Sequence, residues 1–335
     1  MQMKEEDIRP EKIFSEHLRL CKQDVQTYFT NVERERIKCP ACDSDGEFAF
    51  NKQSFEYEHC PNCQTLFVSP RPKAEYFVKY YIESSSSKYW ATTFYKETAE
   101  VRKEKLWKPK AKMILEAMQK YEATHNKVID VGGGYGLFAG EMESLSGQPV
   151  LVIEPNPYFA SVCREKSFQV VEKFLEDIDK ESLPSGAKAF VSFELFEHLH
   201  SPSAFLNQLE KIMMPGDLFI MTTLSGTGVD IQVLWEESKS VVPPHHLNFL
   251  NPKSIEILLG RIGLEVMEVT TPGKLDMDIL ANSQDKIKDR FWRVFSELAD
   301  DKMKDQWQQL VASSGWSSHM MVICQKPDSP LKNDN

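Results

Sequence analysis

The sequence has 335 residues, 41% apolar and 27% charged, with a formal net charge of −10. That mixture supports a buried core and excludes global disorder. The acidic surplus argues against a nucleic-acid phosphate backbone as the main partner. No run approaches the roughly 18 apolar residues of a membrane span, and the opening MQMKEEDIRPEK lacks the apolar centre of a secretory signal. A soluble, cytoplasmic chain in a reducing compartment is the expectation.

Residues 1–36 are polar, with Ile13, Leu18, Leu20, Val25 and Tyr28 at helical spacing, so one or two short amphipathic helices are predicted. Residues 37–72 change to cysteine, proline and short alternating stretches. Residues 73–126 return to helical patterning as a connection or lid, interrupted by the serine run Ser84–Ser87. From Lys127 the rhythm becomes strand, loop, helix. Strands are predicted at Val128–Val131, Val150–Glu154, Phe168–Val171, Ala187–Phe193 and Leu218–Thr223, with helices at Leu137–Leu145, Pro157–Lys166 and Ser203–Met213. Such alternation signals a parallel sheet covered on both faces. The pattern loosens over Ser225–Pro244, then gives a helix at Pro252–Ile262 and a strand at Leu264–Thr271. One long helical insertion is predicted at about 275–311, then a final strand at His319–Gln325 and a flexible tail at 327–335. The expected class is α/β, with a main domain at 127–326.

Cys39-Pro40-Ala41-Cys42 and Cys60-Pro61-Asn62-Cys63 stand 17 residues apart. Seven cysteines placed at random would give roughly 0.1 such pairs. Each pair puts two thiolates on one turn, and two turns complete a tetrahedral Zn2+ site. Short strands at Glu47–Phe50 and Phe55–Tyr57 would make 37–72 a small zinc ribbon. Four thiolates leave no open position, so the expected zinc is structural, with His59 a neighbour. Redox motifs would sit at a helix start instead. Cys21, Cys163 and Cys324 are expected to be ordinary reduced or buried cysteines.

The run Val128-Ile129-Asp130-Val131-Gly132-Gly133-Gly134-Tyr135-Gly136 takes a buried strand into a glycine turn and a helix start. The second strand ends in Glu154, 18 residues past Gly136 and suited to a ribose diol. Gly134 to Ala139 also fits the dinucleotide string G-x-G-x-x-A. Asp130, however, places a carboxylate in the ligand zone. It would repel a pyrophosphate and suit a cationic amino-acid ligand such as S-adenosylmethionine. No G-K-[ST] follows, which excludes a P-loop.

Over Lys127–Lys326 the chain resembles the class I S-adenosylmethionine-dependent methyltransferases. VIDVGGGYG looks like that family's first motif and VLVIEPN like its second-strand acid. The block with Glu197-His198, Pro202 and Met-Pro-Gly-Asp resembles its fourth and fifth strands. The ribbon, the stretch FVSPRP and the Tyr-rich segment resemble a subfamily found in sugar and surface-glycan biosynthesis, which includes C-methyltransferases of nucleotide-linked deoxysugars. The resemblance implies a Rossmann-like, seven-stranded, mostly parallel sheet. It implies methyl transfer to carbon or oxygen of a small-molecule acceptor, such as a sugar nucleotide or glycan precursor. By position it places Asp130, Gly132, Gly134 and Gly136 at the methionine end of the cofactor. It places Glu154 on the ribose, Phe174 and Leu175 at the adenine, and Phe193 and Glu194 beneath the sulfonium. One of Phe174 and Leu175 is expected to be core.

A neutral acceptor needs a base, and His246, His198 and His245 are the candidates, His246 foremost. Tyr89 and Trp90 are the aromatic residues singled out as covering the cofactor; most others of that stretch are expected to pack as helix faces. Arg71 and Lys73 are the cations offered for a phosphate-bearing acceptor. Two rival readings are an NAD(P)-dependent oxidoreductase and a catalytically inactive zinc-ribbon, S-adenosylmethionine-binding adaptor. Asp43, Asp45, Glu47, Glu56 and Glu58 make the ribbon acidic and disfavour DNA.

Overall fold

The computed structural model describes residues 4–329; residues 1–3, and 330–335 of the expected tail, lie outside the described residues. Eleven strands matter for the site. β1 (Glu47–Lys52), β2 (Phe55–His59) and β3 (Leu66–Val68) belong to the ribbon. β4 (Lys127–Val131), β5 (Leu151–Ile153), β6 (Gln169–Val171), β7 (Lys188–Phe193) and β8 (Leu218–Leu224) are parallel. β9 (Asn248–Phe249), β10 (Glu265–Thr270) and β11 (His319–Gln325) follow.

The main sheet runs β10-β11-β8-β7-β4-β5-β6. β11 is antiparallel to both its neighbours, in register from Leu218 opposite Gln325 to Leu224 opposite His319. Every residue of β7 and β8 is buried. Continuous burial of mostly apolar strands of this kind suits strands covered on both faces. One face packs Ile129, Phe190, Phe219 and Val322; the other packs Val128, Val191, Ile220 and Ile323. The covering helices begin where their caps dictate. Asn156 accepts from the Tyr158 and Phe159 amides ahead of Pro157–Glu165, and Ser201 accepts from the Ala204 amide ahead of Pro202–Ile212. Asn251 and Ser254 form a reciprocal capping box ahead of Pro252–Ile262.

Three local expectations change. The helical insertion at about 275–311 is divided into three helices: Asp276–Ala281, Arg290–Leu298 and Asp301–Ser313. Asp289 and Asp300 cap the amides of Trp292 and Met303, so each acid restarts a helix. The serine run also begins an element, since Ser84 accepts from the Ser87 amide at the head of Ser85–Tyr89. The ribbon, finally, is not a lobe apart. Its sheet runs β9-β3-β2-β1, so its edge strand comes from residues nearly 200 positions downstream and pairs antiparallel with β3, Asn248 opposite Phe67 and Phe249 opposite Leu66. Cys39, Ala41, Cys60 and Cys63 are buried in the same apolar cluster as Phe190 and Phe219 of the main sheet.

The helix Lys108–Lys120 packs on the main sheet with Val128 and Val191, whereas Glu11–Tyr28 and Ala74–Glu83 pack on the ribbon's sheet with Phe55 and Tyr57. No helix among the described residues is long and apolar enough to cross a membrane.

Candidate active site

β4 delivers Asp130, and the turn after it carries Gly132, Gly134 and Gly136 at φ 74, 52 and 67. A Cβ on Gly134 would meet nothing within 4 Å, so its positive φ rather than crowding selects glycine, and its face is open. Gly133 is selected by space: a Cβ there would lie 2.6 Å from Val152 and 2.9 Å from Asp130 Oδ2. The Gly134 amide donates to Glu154 Oε2 at 2.8 Å, and the Asn156 amide donates to Oε1 at 2.8 Å. Those two bonds oppose, without cancelling, the burial that pushes Glu154 up to about 7.

Asp130 is 1% exposed and its Oδ2 has no hydrogen-bond partner. Burial, then the nearby Glu154 charge, pushes it up to about 8, with Lys110 opposing. A buried carboxylate oxygen without a donor fits a ligand that brings its own N–H groups and positive charge. Tyr95 and Trp107 face this loop across a cleft that Leu137, Phe138 and Phe193 also line. Tyr95 stacks on Tyr135 with centroids 5.5 Å apart and planes 7° apart, and Arg102 lies over Tyr95 at 5.3 Å. Neither Tyr95 nor Trp107 was singled out by the sequence. Of the residues that were, Tyr89 is not on the cleft lining, and Trp90 stacks on Phe94 at 4.0 Å beside His17.

At the end of β7, Glu194 adopts φ 50, a strained backbone for a residue with a side chain. Its carboxylate meets Lys110 Nζ at 3.1 Å, Thr222 Oγ1 at 2.8 Å and His319 Nδ1 at 3.5 Å. Burial works against ionisation, but His319 and Lys110 hold Glu194 well below the usual carboxylate range. Lys110 is itself buried and lies 4.8 Å from the Phe193 ring centroid. Sequence gave no sign of it, because Lys108-Pro109-Lys110-Ala111-Lys112 has the look of a solvated helix start.

The next turn gathers the predicted histidines. Glu197, His198 and His246 offer ligand atoms within 4.8 Å of one another. His198 lies 4.7 Å from His246 and 6.0 Å from His245, centroid to centroid. Burial holds His198 down to about 4 and keeps His245 and His246 well below their ordinary value. Burial and the Glu194 charge push Glu197 up to about 8, although Thr223 Oγ1 donates to it at 2.8 Å. His246 Nδ1 sits 2.5 Å from the Ser240 carbonyl. That bond places the proton on Nδ1 and leaves the Nε2 lone pair free. The three histidines are therefore neutral near pH 7 and chemically able to accept a proton or a ligand.

Phe174 and Leu175 separate. Leu175 is buried in the core with Ile178, whereas Phe174 is 47% exposed on the surface. Arg71 and Lys73 are both engaged elsewhere. Arg71 is buried and donates to the carbonyls of His200 and Leu247 and to Asn248 Oδ1, which clamps β9 to the ribbon. Lys73 pairs with Glu33 at 2.8 Å.

The four ribbon cysteines converge. Cys39 Sγ lies 3.5 Å from Cys63 Sγ and Cys42 Sγ lies 3.4 Å from Cys60 Sγ, with all four within 4.8 Å. Tetrahedral zinc with Zn–S of about 2.3 Å would separate sulfurs by about 3.8 Å. The donor set and spacing fit that ion.

A family model described as a methyltransferase domain matches residues 102–269. The chain belongs to this family. The match starts at Arg102, upstream of β4, and so includes Trp107 and Lys110 with the glycine loop. The fold is the Rossmann-like sheet expected of class I S-adenosylmethionine-dependent methyltransferases. Among curated relatives, a tRNA U34 carboxymethyltransferase of Chromohalobacter salexigens is 27% identical over 52% of this chain and 53% of its own length. A ubiquinone biosynthesis O-methyltransferase of Xanthomonas euvesicatoria is 27% identical over 43% of this chain and 64% of its own. The chain thus spans about half to under two thirds of the relatives it matches. A solved complex of the Haloferax volcanii Trm112 methyltransferase activator with a methyltransferase aligns over 71% of this chain and 96% of that one, at 14% identity and a TM-score of 0.46.

Proposed function

We propose that this methyltransferase-family chain moves the methyl group of S-adenosylmethionine to an oxygen or carbon of a small-molecule acceptor. The observation that carries the reading is Asp130, a buried carboxylate with one oxygen unpartnered, set against an open glycine loop. The cofactor's ammonium supplies the missing donors. Asp130, Gly132, Gly134 and Gly136 hold the methionine end, Glu154 the ribose hydroxyls and Phe174 the adenine, Leu175 being the core residue of that pair. Phe193 and Glu194 close the cleft under the sulfonium. An NAD(P) pyrophosphate would face the Asp130 carboxylate and finds less support.

Transfer is an in-line displacement. The acceptor's lone pair forms the new bond to the methyl carbon as the carbon–sulfur bond breaks, and sulfur takes the electron pair to give S-adenosylhomocysteine. The chain's tasks are alignment and exclusion of water, for which Tyr95 and Trp107 are placed. The acceptor's proton passes to His246 Nε2, with His198 and His245 shaping the same pocket. The cysteine cluster holds a structural zinc.

The subfamily resemblance offers a nucleotide-linked sugar as acceptor. A diphosphate calls for free cations, and Arg71 and Lys73 are occupied, so the acceptor we favour is a hydroxyl-bearing molecule without a polyphosphate. The test is cofactor binding by calorimetry, followed by release of S-adenosylhomocysteine with phenols, sugars, sugar nucleotides and tRNA as separate arms. Failure of wild type to bind the cofactor, with Gly134→Arg indistinguishable from it, would sink the reading. Binding without turnover in any arm would favour the adaptor, and turnover only with tRNA would overturn the acceptor class.

A further inference from the structure

Cys21 does not lie alone. It follows His17 by four residues on the helix Glu11–Tyr28, so both side chains share one face of that helix. Cys21 Sγ is 3.4 Å from His17 Nε2. His245, from the loop before β9, completes a group whose three ligand atoms lie within 4.8 Å of one another. Cys21 is fully buried and His17 is 5% exposed. Tetrahedral zinc with Zn–S near 2.3 Å and Zn–N near 2.0–2.1 Å would set sulfur and nitrogen about 3.6 Å apart, close to what is seen.

The surroundings orient the donors as metal ligands usually are oriented. The His17 ring is packed between Trp90, centroids 4.7 Å apart, and His245, centroids 5.4 Å apart. The Tyr80 hydroxyl lies 2.6 Å from His245 Nε2 and is itself 2.9 Å from Ser86 Oγ. Asp24, buried one turn further along the same helix, accepts from the Ser86 amide at 2.7 Å and contributes negative charge near Cys21.

We propose that His17, Cys21 and His245 form a second metal site, for zinc or an ion of similar chemistry, distinct from the four-cysteine ribbon. Two imidazoles and a thiolate match that ion's nitrogen and sulfur preference. On binding, the Cys21 S–H bond breaks, its proton leaves to solvent, and sulfur and both imidazole lone pairs turn to the ion. Three protein ligands leave a fourth position for water or an acceptor oxygen, and His198 is the next ring along. An acceptor hydroxyl bound there would lose its proton more readily. That use rests on the methyl-transfer reading; the presence of the ion does not.

The experiment equilibrates the full chain with excess zinc, removes free metal and measures zinc per chain together with X-ray absorption at the zinc edge. Wild type should hold two zinc ions, with nitrogen as well as sulfur in the average shell. Cys21→Ser and His17→Ala should each fall to one ion with a sulfur-only shell. One ion in a sulfur-only shell in wild type overturns the site without needing any variant to fold. A second ion that survives both substitutions also overturns it, because the ion then sits elsewhere. A single ion in a mixed shell, lost in Cys21→Ser, would support this site and count against zinc in the ribbon instead. Absence of cofactor binding alongside two zinc ions would count against the methyl-transfer reading alone.

Discussion

The Gly134 amide and the Glu154 carboxylate are joined at 2.8 Å, so the glycine loop and the end of β5 are tied before any ligand arrives. Glu154 therefore sets the loop's shape, and we propose that it also binds the cofactor's ribose. Glu154→Gln keeps the size but weakens a charge-assisted bond of about 1.5–3 kcal/mol. S-adenosylhomocysteine affinity should fall roughly 10- to 100-fold by calorimetry. Wild-type affinity in this variant would remove Glu154 from the site.

Asp130 gives the affinity a pH dependence whose sign can be worked out. Burial holds it near 8 in the free protein, so below that pH it is mostly protonated. A cationic ligand binds the ionised form, so binding must expel a proton. Affinity should then rise with pH up to about 8, by up to about tenfold per unit below it. Glu154, near 7, adds to the slope at lower pH. Titration calorimetry in buffers of differing ionisation heat measures the proton released. Asp130→Asn should bind weakly and lose most of the slope.

Tyr95→Ala removes the ring stacked on Tyr135 and opens the cleft on the side of the N-terminal helices. Loss of a packed aromatic pair costs about 0.5–1.5 kcal/mol beyond the area exposed. Dissociation of S-adenosylhomocysteine should quicken several-fold in stopped flow, with methyl donor hydrolysis by water a further sign of the open cleft. An unchanged off-rate would leave Tyr95 as packing only.

His246→Gln keeps a polar side chain but no proton acceptor of comparable basicity. A general base contributes about 10²- to 10⁴-fold, so kcat should drop in that range while cofactor affinity stays put. A drop in affinity without a drop in kcat would mark His246 as a packing residue.

Zinc removal should act on the whole molecule. The ribbon cysteines share a core with Phe190 and Phe219, so there is no boundary at which the ribbon could melt first. Chelation, or Cys60→Ser, should lower the melting temperature by more than about 5 °C in one transition. Two well-separated transitions in calorimetry would show an independent ribbon.

The sheet was legible because β4, β7 and β8 are mostly apolar, strand-forming stretches set between capped helices, and the caps at Asn156, Ser201 and Asn251 fix the helix starts. The cysteine pairs and the acid-glycine loop were legible because their chemistry is packed into short spacings. Lys110, Tyr95 and Trp107 were not, since each sits in charged helical sequence and acquires its surroundings only when that helix folds over β4 and β7. His17 and Cys21 stand four apart in plain view, yet their third partner lies 224 positions downstream. The breaks within the helical insertion were not legible because Asp289 and Asp300 look like ordinary surface acids until their side chains turn onto backbone amides.

β9 has a consequence for anyone who would re-engineer this chain. Its two residues belong to the ribbon's sheet by hydrogen bonding and follow His245 and His246 after the single residue Leu247. A fragment starting at Lys127 would retain all seven strands of the main sheet but strip β9 of its partner β3 and His245 of the Tyr80 hydroxyl. Chimeras that graft a foreign ribbon must carry the matching downstream strand, and the two halves of this chain should be inherited, exchanged and truncated together.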